Sequence, residues 1–176
     1  YLTASSACRA KRRYDELTEK GETCDLAAIE VVDLGGKLVC PPFCDTHLHL
    51  DYVFTARKPG AVNESGTLFE GIQRWSETKS DLTVDEIKQR AKIGIKKEML
   101  HGVQLIRSHA DVTDPNLTSL KALLELKEEL KDTVTLQIVS FPQEGMYSYE
   151  GPHGESGAEL VEEGLKMGAD CVGGIP

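Results

Sequence analysis

His47 and His49 stand two positions apart at the end of a predicted strand, and a strand's period of two points both imidazoles to one face. Neutral imidazole offers a nitrogen lone pair to zinc or ferrous iron, so the two side chains form a ready pair of metal ligands. Such a pair also arises as an ordinary polar strand end, and the surrounding sequence has to decide between the two. Gln143 ends a later strand-like run, where its amide offers a donor and an acceptor side by side and could read a mixed hydrogen-bonding edge. An exposed loop amide is the alternative.

Other candidates carry weaker signals. His109 and Asp111 share one face of the strand between those two; they read equally as support for ligands or as groups satisfied by nearby backbone, and they stand outside the ligand pair. His101, beside Gly102 at a predicted helix end, is structural, and His153 lies among loop glycines. Asp51, Glu70 and Glu144 are read as surface carboxylates. Cys8, Cys24, Cys40, Cys44 and Cys171 include no Cys-x-x-Cys pair, so free thiols in a reducing cytoplasm are expected rather than a disulfide framework.

The elements that must position these residues alternate. Residues 1–26 show no sustained period and read as loop. Residues 27–32 and 37–43 read as strands about the Gly35-Gly36 turn, with Pro41 and Pro42 at a strand beginning or edge. Residues 51–80 read as a long loop with one helical turn near residues 68–75. Thr83 with Glu86 has capping-box spacing and opens a helix that Gly102 ends. A strand at 103–106, a helix from Asp114-Pro115 to about Lys131, a strand at 134–141, a helix at 156–167 and a strand at 171–175 follow. That order makes an α/β fold with a parallel sheet. No glycine-rich phosphate loop opens any helix, which favours a barrel over a dinucleotide-binding domain.

Composition excludes several classes. With 29 acidic and 20 basic residues among 176, the net charge of −9 repels a phosphate backbone, so a nucleic-acid polymer is not expected as a partner. No apolar run is long enough to span a membrane, and Arg9, Lys11, Arg12 and Arg13 lack the apolar stretch of a secretory signal. A cytoplasmic location is expected.

The run Asp33-Leu34-Gly35-Gly36, continuing through Pro41-Pro42 to His47-Leu48-His49-Leu50-Asp51, resembles the start of the amidohydrolase superfamily barrel with its His-x-His. Ser65-Gly66-Thr67-Leu68-Phe69-Glu70-Gly71-Ile72 and Phe141-Pro142-Gln143-Glu144-Gly145 resemble the bacterial cytosine deaminase branch. Arg107-Ser108-His109-Ala110-Asp111-Val112 and the segment from Gly168 to Pro176 look like its second and fourth barrel strands.

The resemblance implies a (β/α)8 TIM-like barrel with one divalent metal ion per site, Fe2+ or Zn2+, at the C-terminal mouth. His47 and His49 would be metal ligands, and the cation would activate water for attack on C4 of cytosine, releasing ammonia and leaving uracil. Gln143 would bind the base, with Leu68 as a second substrate-binding residue. The catalytic glutamate and the remaining ligands are expected beyond Pro176. The zinc deaminases of nucleosides and polynucleotides use a His-x-Glu and Pro-Cys-x-x-Cys signature, which is missing.

A closed barrel needs at least about 200 residues. The chain is therefore expected to hold the first four barrel strands in residues 38–176, with residues 1–37 a remnant of a small β-sandwich, and both ends look cut. The remaining half of the barrel and a homo-oligomer are the expected partners besides cytosine, and the isolated chain is expected to be inactive. Alternatives are an amidohydrolase acting on another amino-azine or a cyclic amide, or a non-catalytic barrel fragment.

Overall fold

A computed structural model describes residues 6–29, 32 and 34–175. It divides into two units, Tyr1–Pro41 and Pro42–Pro176. In the first, helix α1 (Ser6–Glu19) replaces the expected loop. Its few apolar residues Ala7, Ala10, Tyr14 and Leu17 fall at helical spacing, and its Ala, Lys, Arg and Glu residues favour helix as well. Side chains one turn apart add to this: Lys11 pairs with Asp15 and Arg13 with Glu16 at 3.2 Å. Gly21, at φ 77°, closes the helix, as the Glu22 N–H reaches Leu17 O and the Gly21 N–H reaches Thr18 O.

The strands expected at 27–32 and 37–43 are corrected. Leu26–Ala28 is a 3-10 turn capped by the Asp25 carboxylate on the Ala27 N–H. Glu30, Val31 and Asp33 lie outside the described residues, and pairing begins only at Phe43. Pro41 and Pro42 have no N–H to give a ladder, which delays the strand to that point.

In the second unit, strands β1 (Phe43–Leu48), β2 (Val103–Asp111), β3 (Thr135–Phe141) and β4 (Cys171–Val172) form a parallel sheet in the order β1-β2-β3-β4. Helices α2 (Leu68–Lys79) and α3 (Val84–Leu100) precede β2, α4 (Thr118–Glu129) precedes β3, and α5 (Gly157–Met167) precedes β4. Each strand pairs with the next and the order never reverses, which is the winding of a barrel rather than of a doubly wound sheet. The fold is part of a (β/α)8 barrel.

Local chemistry explains most boundaries. Thr83 with Glu86 and Ser156 with Glu159 both form reciprocal capping boxes, and Gly168 at φ 117° ends α5. Four elements differ from expectation, the first being β2, which runs on to Asp111 rather than ending at 106. The single turn near residues 68–75 is a three-turn helix, α2, because Thr67 caps it, Trp75 is buried, and Arg74 bridges Glu70 and Glu77. The helix after Asp114 starts at Thr118, because Asp114 spends its carboxylate on the N–H groups of Asn116 and Thr118, both at 3.0 Å, and holds a separate turn. Strand β4 is two residues long rather than five.

The core lies between the outer face of the sheet and the helices. Ile106, Ala110, Leu136 and Ile138 pack with Ile87, Ala91 and Ile95 of α3, Leu120, Leu123 and Leu126 of α4, and Leu160 and Val161 of α5. Each fully buried aliphatic side chain contributes about 1.5–3 kcal/mol. Gly164 of α5 allows the closest approach. A Cβ there would sit 2.4 Å from Ser140 Oγ, the hydroxyl that donates to Val161 O, and 3.2 Å from Leu120. Gly164→Ala is therefore expected to destabilise the protein by about 1–3 kcal/mol despite the better helix propensity of alanine, measured as a lower urea midpoint at unchanged slope. A raised midpoint would show that the contact is slack.

Candidate metal centre and adjoining cleft

Strand β1 reaches the site through a change of parity. Cys44 pairs with Leu105 and Asp45 with Ile106, but Leu48 pairs with Ser108, so β1 carries one extra residue between Asp45 and Leu48. Before this bulge, Cys44 and Thr46 line the same hollow as Leu105 and Arg107; after it, the odd-numbered His47 joins His109. Bulges re-aim side chains in this way. Asp45 supports the bend, its Oδ1 accepting the His47 N–H at 3.0 Å.

The result is a cluster of three imidazoles. His47, His49 and His109 can each present a nitrogen so that all three lie within 4.8 Å of one another. Ring centroids are 5.2 Å apart for His47 and His49, 4.1 Å for His47 and His109, and 5.4 Å for His49 and His109. The structure thus brings together the two histidines expected from sequence and adds His109, which had been left outside the ligand pair. Its position beside β1 in a parallel sheet was the missing signal.

Electrostatics favour lone pairs over protons here. Burial, then the neighbouring His109 and His47, push His49 down to about 4, and burial with His47 also lowers His109. Both side chains keep a buried Nδ1 without a hydrogen-bond partner. Neutral rings with uncommitted buried nitrogens suit a divalent cation, so the donor set fits a metal.

The other half of the site hangs on Asp111, a carboxylate 1% exposed. It accepts the Trp75 indole N–H at 2.6 Å, Lys79 Nζ at 3.1 Å, the Thr113 N–H at 2.8 Å and hydroxyl at 2.5 Å, and the Gln143 N–H at 3.3 Å. The Asp111 N–H in turn donates to Asp51 Oδ2 at 2.9 Å. Asp51 is not the surface carboxylate expected: it is fully buried, and burial pushes it up to about 7 against the N–H groups that bind it. Glu144 is paired with Lys79 and accepts the Ser76 hydroxyl at 2.9 Å. Glu70 folds the loop ahead of α2, and hydrogen bonds from Ser65 and the Glu64 N–H push it down to about 2.

These ties frame a cleft of about 390 Å³ between α2 and the end of β3, lined among others by Tyr52, Asn63, Leu68, Ile72, Trp75 and Gln143. Gln143 is 7% exposed, and its Oε1 has no partner. Leu68 is 74% exposed at the first turn of α2, on the rim. The Tyr52 ring connects the cleft to the imidazoles, with centroids 4.7 Å from His49 and 4.7 Å from Trp75. Tyr52, Trp75 and Lys79 carry no local sequence signal, since only the fold brings them to Gln143. His101 caps α3 and bonds Lys97 O through Nδ1 at 2.7 Å, as its position implies.

Residues 30–175 match the model of the amidohydrolase family. The chain belongs to that family. Amidohydrolases generally use a divalent metal, and the three-histidine cluster could bind one. The chain is similar to N-isopropylammelide isopropyl amidohydrolase of Pseudomonas sp. (strain ADP), 35% identical over 148 residues, which cover 82% of this chain and 36% of the relative. It is 27% identical over 125 residues to pterin deaminase of Rhizobium rhizogenes, covering 68% of this chain and 28% of the relative. Among solved structures, 5-methylcytosine deaminase from Klebsiella pneumoniae, liganded with 5-fluorocytosine, matches with a TM-score of 0.73 and 48% identity over 85% of this chain and 36% of that one. The chain thus spans about a third of the length of the relatives it matches. No helix among the described residues is long and apolar enough to cross a membrane.

Asp111→Ala would leave an indole N–H, two backbone N–H groups and a hydroxyl without their acceptor. A loss of about 3–5 kcal/mol is expected in urea unfolding. A loss below about 1 kcal/mol would mean that the network does not hold the site together.

Proposed function

We propose that this amidohydrolase chain carries the metal- and base-binding part of a deaminase acting on cytosine. One observation carries the reading: Gln143, whose Oε1 has no partner, lines a cleft that the Tyr52 ring separates from three converging imidazoles. The 48% identity to a cytosine-type deaminase supports the choice of base.

His47, His49 and His109 would hold the cation, Fe2+ or Zn2+. When bound, such a cation lowers the pKa of water toward neutrality and supplies a nucleophile. The chain's own residues do the rest of the recognition. Gln143 would read the base edge with a donor and an acceptor. Trp75 and Tyr52 offer flat apolar walls, and Leu68 would close the rim. The overall change is addition of water at C4 of cytosine with loss of ammonia, which leaves uracil. The glutamate that moves protons and the remaining ligands are assigned to further polypeptide completing the barrel. A small β-sandwich that includes residues 1–37 belongs to the same proposal, as do assembly into a homo-oligomer and a cytoplasmic location.

A second reading, deamination or amide cleavage of another amino-azine, draws on the 35% identity to the isopropylammelide enzyme. The same cleft would serve, because a triazine presents a comparable mixed edge.

Two measurements test these assignments. In a competition titration against a coloured chelator, the chain is expected to bind one equivalent of zinc; the His47→Ala, His49→Ala double variant should lose it, and His109→Ala should weaken it by about 10–100-fold. Wild-type zinc affinity in His109→Ala would remove that residue from the cluster. Trp75 is the single tryptophan and lines the cleft, so its fluorescence reports occupancy. Cytosine is expected to quench it, and Gln143→Ala should raise the dissociation constant by about tenfold or more, the effect of leaving a base edge unpaired. Tighter binding of ammelide than of cytosine would favour the second reading.

A further inference from the structure

We propose that Lys79 is a positioning residue for the cleft: its ammonium, clamped between Asp111 and Glu144, holds Trp75 and Gln143 in the wall. The importance of that wall rests on the reading of the cleft as a base site. Lys79 lies in the last turn of α2 with a side chain only 11% exposed, and it is not among the residues lining the cleft.

Its ammonium has three donors and meets three acceptors. Nζ lies 3.1 Å from Asp111 Oδ2 and 2.8 Å from Thr113 Oγ1, and it also pairs with Glu144. The Tyr149 ring covers it at 5.9 Å. Three separate segments therefore converge on one charge: α2, the end of β2, and the stretch after β3.

Each contact leads back to the cleft. Trp75 sits four residues earlier on the same face of α2, and its indole N–H binds the same Asp111 oxygen. The other Asp111 oxygen accepts the Gln143 N–H. Glu144, the next residue in the chain, is gripped by Lys79 and by Ser76 of α2. A lysine serving only the helix dipole would do so equally well in solvent. Here, removal of the cation leaves two carboxylates sharing a part-buried space with nothing between them, and their repulsion drives Glu144, with Gln143, away from α2.

Because Trp75 is the single tryptophan, its emission reads the wall directly and without any ligand. In Lys79→Met the emission is expected to shift to longer wavelength and acrylamide quenching to rise, with far-UV circular dichroism and zinc stoichiometry unchanged. Cytosine affinity should fall by about tenfold, the scale of one lost charge-assisted contact. Lys79→Arg, which keeps the cation, should restore most of both. Unchanged emission and quenching in a folded Lys79→Met protein would overturn the proposal. If Lys79→Met does not fold, Glu144→Gln removes the charge of one half-buried partner of the cation: raised quenching supports the clamp, and unchanged quenching overturns it. If the wild-type chain does not bind cytosine, the base reading fails, and the ligand-free Trp75 measurement still decides the role of Lys79.

Discussion

A carboxylate taken out of water must be met by donors, and Asp111 is met by five of them from three parts of the chain. The effective penalty for burying such a charge is several kcal/mol, and it is recovered only when the donors are in place. That constraint makes the site a unit. Trp75 and Lys79 bring α2 to the sheet, Gln143 is set at the end of β3, and Asp51 ties the turn after His49 to the Asp111 backbone. A cleft wall, the Gln143 amide and the turn beside the imidazoles thus share one anchor. The two halves of the proposed chemistry, cation and base, are placed relative to each other by it.

The two faces of the sheet divide the work. On β2 and β3 the outer face, from Ile106 and Leu136 onward, is buried under α3, α4 and α5. The inner face bears Arg107, His109 and Asp111 on β2 and Gln137 and Phe141 on β3, and its lower end is open, where Leu105 remains exposed. Barrel strands are ordinarily buried on both faces. The relatives, of which this chain spans about a third, contain the additional chain length for such cover. Rigidity at the site therefore comes from the helix side, where β2 and β3 are packed, and is passed through the strands to the side chains opposite.

Much of this was legible beforehand because it is written in short-range chemistry. The capping box at Thr83 and the alternation of strands and helices act within a few residues, and they appear where expected. The pairing of His47 with His49 was equally local. What escaped detection depends on contacts between distant segments. Helix α2 gains its length from burying Trp75 against β2, and Asp51 and Lys79 look like surface residues until Asp111 is placed between them. Gln143 and Leu68 were named from a motif, and only the fold shows that they share a cleft with Tyr52 and Trp75.

The bulge in β1 shows how little separates a site from its absence. In an unbroken strand, residues 47 and 49 would share the parity of Asp45, which pairs with Ile106, and Ile106 is packed under the helices. Two imidazoles would then enter the apolar layer, and His109 would face the inner side alone. One extra residue reverses this, and the Asp45 carboxylate secures the reversal by accepting the His47 N–H. A period of two decides that the histidines lie together, whereas the bulge decides which side they occupy. The acidic residue two positions before the first histidine thus acts through the backbone, and it sets the geometry of the cluster without touching a ring nitrogen.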